Sequence, residues 1–414
     1  DCAVTSSFES GSEMLNWLYD AYIRTQLSNM HSGVPSDCPH IERLGYTGDG
    51  QLCCEAAMML LDSQKFYKKW LEDISDCQSI GNGHVQHTAP FMGGGGGPAG
   101  WGGAIAVVPY EMYKIYGDKE TFRRYLPKIL RYFDYLDSRS SGGLVCREEE
   151  GGWCLGDWCP PEQITICEPF VNTALYVKQM MMTKEASEAI GESETAAMLE
   201  KRIEEKKQAI LSAYYSPQTG SFIGDAQGAN SFAVDIGLGG ERAFNNTKKK
   251  YDDADSFDTG IFGTDILTRV LFERGCADTA FHLLTSTGKG SFYNMKKQGA
   301  TTIWENWDGE RSHSHPMFGA VTRYLFSFIL GITQEKNSAG YEKIVIAPQI
   351  PDGLNRASGH ITTVRGEIAV SFVRTEREMD FYVTVPQKAW FTYGSDCKYE
   401  LWEGENHIHI DFEE

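Results

Sequence analysis

The sequence predicts a mainly α-helical protein, an α/α barrel over residues 1–335 followed by a small antiparallel β-sandwich over 336–414. Three observations carry this expectation. From about residue 8 to 332, apolar residues recur at helical spacing. Long glycine-rich loops join these stretches, as paired helices require when their connections gather at one end of a barrel. After about residue 335 the apolar period shortens to two, the period of a strand with one buried face.

Taken in order, Ser10-Gly11-Ser12-Glu13 reads as a capping box, and Met14, Leu18 and Tyr22 follow at helical intervals. Further helices are predicted near 49–73, 104–117, 119–139, 168–190, 194–215, 258–275, 277–286 and 316–331. In the last, Phe318, Val321, Leu325 and Phe328 form one apolar stripe, the mark of a core face. The runs Gly93 to Trp101 and Gly151 to Trp158 are long loops carrying tryptophans that read as exposed, and long loops are usually functional. The glycine run is not a phosphate loop, because no strand precedes it and no Lys-Ser/Thr follows. In the tail, Met379, Phe381, Val383 and Val385 alternate with polar neighbours, as do Ile408, Ile410 and Phe412. Residues 341–346 form another expected strand.

Composition narrows the partners. A net charge of −19 argues against nucleic acid, whose phosphates need a basic surface. The one basic run, Lys248-Lys249-Lys250, reads as a solvated loop. No apolar stretch approaches the ~20 residues of a membrane span, so no membrane partner is expected. The chain opens Asp1-Cys2-Ala3, which suggests removal of an upstream segment together with any targeting signal; cytoplasm and periplasm both fit. The eleven cysteines are odd in number and scattered, and Cys146, Cys154, Cys159 and Cys167 lack paired zinc spacing. Free thiols are expected. Of His313 and His315, one is expected to serve a hydrogen-bonded polar site, and neither a metal. Oligomeric state is not encoded in any feature of the chain.

Two acidic clusters carry the chemistry. One runs from Asp37 through Glu42 to Asp49, the other from Thr301 through Glu305 to Gly309. Each sets a glutamate among aromatic rings, glycines and further carboxylates. Aromatic faces stack on the apolar face of a sugar, and carboxylates accept hydrogen bonds from its hydroxyls. Glycosidic cleavage needs two carboxyl groups with divided roles. Glu42 and Glu305 supply both if folding brings them to one pocket.

The first cluster resembles the acidic motif of bacterial α-L-rhamnosidases, glycoside hydrolase family 78: Asp-Cys-Pro, a few residues, then Glu-Arg-Leu-Gly-Trp-Thr-Gly-Asp. Similar pieces follow in order at Gly100-Trp101-Gly102, Gly156-Asp157-Trp158, Asp258 to Thr264, Gly299 to Glu305, His315 and Phe318 to Val321. The resemblance implies an (α/α)6 barrel and inverting hydrolysis of terminal α-L-rhamnosides in a rhamnose-containing oligosaccharide or glycoside, without a cofactor. By position, Glu42 matches the general acid and Glu305 the general base. Asp37 and Asp49 match carboxylates that hold sugar hydroxyls, and Trp101, Trp158 and His315 match further sugar contacts. Arg43 and Tyr46 complete the expected binding set, with Tyr46 or Trp101 as an aromatic wall for the methyl group of rhamnose. The chain departs from the family at Tyr46, where Trp is usual, and at Gly103, where an acidic residue is common. The β-sandwich domains that usually precede the barrel are not in this sequence.

Two other readings stand beside this one. A polysaccharide lyase on the same barrel would use Tyr46, His40 or His315 to abstract a proton, but it would need basic residues around a uronate. A non-catalytic sugar binder would keep the pocket and lose turnover.

Overall fold

Helices that bury more than one face alternate along the chain with helices that bury a single stripe. In the computed structural model, which describes residues 2–394 and 397–412, the first kind forms an inner ring: Thr47–Leu60, Ala104–Tyr116, Glu168–Ile190, Ala229–Asp235, Ile261–Glu273 and the segment 317–329. In Thr47–Leu60 every residue except Glu55 is buried. The outer ring comprises Glu13–Ser28, Gln64–Asp76, Lys119–Ser138, Ser193–Tyr214, Gly240–Asp252 and Ala277–Thr285, each packed on an inner neighbour. Gln64–Asp76 shows why: Tyr67, Trp70, Leu71 and Ile74 are its buried residues, at i, i+3, i+4 and i+7. The result is an (α/α)6 barrel.

Several expected boundaries shift. The helix expected over 49–73 breaks at Leu61, which is extended (φ −131°, ψ 152°) and bridges to Val4. The first helix is capped by Ser12, whose Oγ accepts from the Leu15 N–H at 3.4 Å, so the capping-box reading from Ser10 is displaced by two residues. The segment expected as a helix over 316–331 is 3₁₀ over Met317–Thr322 and a π turn over Leu325–Ile329. Its stripe is nonetheless core, with Phe328 stacked on Phe272 at 5.0 Å. The run Lys248-Lys249-Lys250 is not a loop. It ends the Gly240–Asp252 helix, where cations suit the helix dipole, and the Lys250 ammonium donates to the Asp225 carbonyl at 2.7 Å. All eleven cysteines are free, as expected.

Short ribbons close several hairpins. Ser140–Ser141 pairs with Leu144–Val145 around Gly142 (φ 58°) and Gly143 (φ 85°), the two positive φ values a tight primed turn demands.

The C-terminal strands form two sheets. One orders Ser6–Ser10, Arg356–Thr363, Gly366–Arg374, Glu378–Val385 and Gly404–Asp411, all antiparallel. The other orders Cys397–Leu401, Ala389–Tyr393, Ile344–Ile346 and Ile332–Gln334. Ala389–Tyr393 runs parallel to Ile344–Ile346, so this sheet is mixed rather than purely antiparallel. Met379, Phe381, Val383 and Val385 are buried as their alternation requires, and Phe381 meets Phe391 edge-on at 4.9 Å. The strand Ser6–Ser10, read from sequence as part of the barrel segment, is an edge of the first sheet. Phe8 on it packs on Tyr19 and Phe326, which joins the sheet to the helices.

Candidate active site

Two acidic loops meet where the inner-ring segments Thr47–Leu60 and 317–329 begin. The first carries Glu42. Its neck is closed twice: the Asp37 N–H donates to the Leu44 carbonyl at 2.9 Å, and the Leu44 N–H donates to Asp37 Oδ1 at 2.8 Å. Arg43 turns the tip with φ 55°, and His40, Ile41, Glu42 and Arg43 are exposed. Asp37 is buried, and burial raises its carboxyl above the usual range, with the Asp49 charge adding to this against Cys38, His315 and the Leu44 N–H. The loop then enters the Thr47–Leu60 helix, which places Asp49 in its first turn, where the helix dipole favours a carboxylate.

The second carries Glu305 on a hairpin docked against the first helix. The Ile303 N–H donates to Thr25 Oγ1 at 2.8 Å and the Trp17 indole to the Ala300 carbonyl at 2.9 Å. Glu305 and Ser312 pair through a backbone bond of 2.9 Å, and the Ser312 N–H also reaches Glu305 Oε2 at 3.1 Å. Arg311 holds the other oxygen, Oε1, at 3.0 Å. Both oxygens of a carboxylate that is 7% exposed are therefore oriented.

His315 connects the two clusters. Its Nε2 lies 2.6 Å from Asp49 Oδ1 and its Nδ1 3.7 Å from Glu305 Oε2, so segments 266 residues apart meet on one ring. Burial works against the imidazolium, yet Asp49, Glu305 and Asp37 together raise the His315 pKa above the ordinary histidine range. The Arg311 guanidinium is held in its charged form by the hydrogen bond and charge of Glu305 first, and more weakly by the charge of Glu42. Tyr46 is pushed up by burial and then by the Glu42 charge and its hydrogen bond, which sets its phenol against Glu42.

A raised histidine pKa has a defined sign. The His315–Asp49 contribution to stability is complete below the unfolded histidine value of about 6.5 and is lost as pH rises through the higher folded value. His315→Gln is therefore expected to lower the urea midpoint most near pH 6, with a gap from wild type that narrows as pH rises above about 7. A gap that widens with pH would contradict this assignment.

The aromatic residues divide. The Trp101 ring is 3% exposed and lies flat against Gly48 and Gly96; a Cβ on Gly48 would come within 2.7 Å of it. Its helix thus packs directly on the first turn that carries Asp49, and the expectation that Trp101 is an exposed loop residue fails. Trp158 is half-buried. Its backbone is fixed because its carbonyl accepts from Ile261 at 2.8 Å while the neighbouring Asp157 carboxylate caps the Ile261–Glu273 helix through Gly260, Phe262 and Gly263. The rings beside Glu305 do not offer free faces. Trp304 is stacked on His313 at 4.2 Å, and Trp307 is buried among Phe257, Phe292 and Phe318. They shape the hairpin. Gly103 has no room for a side chain, because a Cβ there would strike the Gln179 amide and the Ala99 carbonyl.

The sequence reading missed two residues at this mouth, while its expectation of exposed tryptophans in the 151–158 loop holds at Trp153. Arg311 is the main one. Cys159 feels both Glu305 and Asp49, and with burial they hold its thiol protonated. Trp153 is 61% exposed and covers Gly95, next to the Gly94 that touches Tyr46. A cation six residues after Glu305 in a turn was the one available signal.

A loop-built, carboxylate-rich mouth on an (α/α)6 barrel is the architecture of the six-hairpin glycosidase domains. The chain matches the bacterial alpha-L-rhamnosidase 6 hairpin glycosidase domain over residues 3–329 and the bacterial alpha-L-rhamnosidase C-terminal domain over 331–391. It belongs to this bacterial α-L-rhamnosidase family. A curated alpha-L-rhamnosidase of Streptomyces avermitilis is 30% identical over 88% of the chain and 35% of its own length. One from Formosa agariphila is 26% identical over 93% of the chain and 43% of its own length. The crystal structure of the Streptomyces avermitilis alpha-L-rhamnosidase complexed with L-rhamnose superposes with a TM-score of 0.89 at 25% identity, over 99% of this chain and 42% of that one. The chain thus spans less than half the length of these relatives.

Proposed function

We propose that this chain is the catalytic part of a hydrolase that removes terminal α-L-rhamnosyl units with inversion, Glu42 acting as general acid and Glu305 as general base. The observation that carries the reading is the His315 bridge between Asp49 and Glu305, with Arg311 bonded to Glu305 and sensing the charge of Glu42. It gathers the two acidic clusters around one space. Asp37, Asp49 and His315 offer hydrogen-bond partners for sugar hydroxyls. Tyr46 and half-buried Trp158 supply apolar walls, buried Trp101 packs behind the turn that carries Asp49, and exposed Arg43 stands at the loop tip.

The chemistry follows from how each carboxyl is held. Arg311 and the Ser312 N–H hold the two oxygens of Glu305 in a fixed orientation, which suits a base that takes a proton from water as the oxygen attacks the anomeric carbon. Glu42 sits on an exposed loop tip, free to reach the glycosidic oxygen and give it a proton as the bond breaks. Water is added across the bond, and each glutamate ends in the protonation state the other began with. An inverting pair stands about 6.5–9.5 Å apart to admit that water. The reading requires Glu42 and Glu305, carried on two separate loops, to stand at that spacing.

Incubation with an aryl α-L-rhamnoside is expected to release the phenol. No release, together with a rise in ultraviolet absorbance on a uronate polymer, would replace the hydrolase with a lyase. Binding of rhamnose without either reaction would leave a sugar binder.

A further inference from the structure

Three buried side chains converge away from Glu42 and Glu305. His84, His87 and Glu148 are each 7% exposed, and one donor atom from each lies within 4.8 Å of the others. His87 Nε2 is 2.8 Å from Glu148 Oε2, and His84 Nε2 is 3.5 Å from Glu148 Oε1. Glu148 Oε1 also accepts from the Tyr135 hydroxyl and from the Glu149 N–H at 2.9 Å, so the carboxylate is fixed in orientation. His84 Nε2 is buried and has no hydrogen-bond partner. A buried polar atom without a partner is costly and calls for an explanation.

We propose that His84, His87 and Glu148 form a binding site for a divalent transition-metal ion of the zinc class. Two imidazoles and a carboxylate are a ligand set that zinc accepts, with water completing the tetrahedron. Ligand atoms at about 2.0–2.1 Å in tetrahedral geometry stand roughly 3.4 Å apart. The separations here bracket that value, so small side-chain shifts close the site. An ion gives the orphaned His84 nitrogen its partner. His87 turns its Nε2 lone pair inward, its hydrogen moving to Nδ1, while Tyr135 and the Glu149 N–H hold the carboxylate from outside.

The position says what the ion does. His87 accepts the Thr47 N–H on its carbonyl at 2.9 Å, and its ring lies against Gly96 beside Trp101. Glu148 precedes the loop that carries Trp153 and Trp158, and Tyr135 belongs to the Lys119–Ser138 helix. An ion here clamps one wall of the mouth to the outer ring and takes no part in bond cleavage.

The test uses the full chain, dialysed against a chelator and then titrated with Zn²⁺ or Co²⁺. We expect saturable, stoichiometric binding, visible absorption bands of tetrahedral Co²⁺, and a higher Tm with Zn²⁺. His84→Gln and Glu148→Gln are each expected to abolish all three. His84 Nε2 makes no hydrogen bond, so His84→Gln removes none, and its near-ultraviolet circular dichroism checks the fold; His87→Gln serves as the second ligand variant. Binding by His84→Gln equal to wild type would place the ion at the exposed Glu378, His409 and Asp411 group or at free thiols, and would overturn the proposal. No binding by wild type would overturn it equally.

Discussion

Glu305→Gln is expected to lower kcat by about 10²–10⁴-fold or more, the contribution of a positioned base, while rhamnose affinity stays near wild type. The amide keeps the shape of the carboxylate and an oxygen that accepts from Arg311 or Ser312, so the hairpin does not move. What disappears is the ability to take a proton from water. The sugar contacts proposed for Asp37, Asp49 and His315 remain, and the loss therefore falls on kcat and not on binding. Steady-state kinetics with calorimetric binding of rhamnose separates the two. Turnover near the wild-type rate would remove Glu305 from the mechanism.

Glu42→Gln is expected to cost a similar about 10²–10⁴-fold on rhamnosides whose leaving group is another sugar. On a nitrophenyl rhamnoside the loss should be far smaller, because a phenolate leaves without being protonated. Glu305→Gln should show no such dependence, since attack by water is needed in both cases. Glu42 is exposed, and the loop neck is closed by Asp37 and Leu44, so the substitution carries no folding penalty to confuse the comparison. Equal losses on both substrates would mean that Glu42 is not the acid.

Most of the architecture could be read from periodicity because inner and outer helices bury different fractions of their surface. The stripe at Tyr67, Trp70, Leu71 and Ile74 and the alternation from Met379 to Val385 each state their period plainly. The segment 316–331 was misread because a buried stripe looks the same at 3₁₀, α and π pitch over two turns. The strand Ser6–Ser10 was missed because its partner is about 350 residues away, at Arg356–Thr363. At the candidate site, carboxylates were easier to propose from sequence than rings. Asp37, Glu42, Asp49 and Glu305 are polar groups concentrated in turns, whereas whether a tryptophan faces solvent or core depends on neighbours distant in sequence. Trp101 against Gly48 and Trp307 against Phe318 are both of that kind. The Arg311 contact was hidden for a different reason. It needs a left-handed residue (φ 64°) in a hairpin whose register no local pattern announces.

Proton NMR of the first sugar released from an aryl α-L-rhamnoside reads the geometry of the two glutamates through the product. With Glu42 as acid and Glu305 holding a water on the opposite face, β-L-rhamnose appears first and the α anomer grows only as mutarotation proceeds. If α-L-rhamnose appears first, Glu305 acts as a nucleophile, the carboxyls stand closer at about 5–5.5 Å, and the assignment of a water-activating base is contradicted.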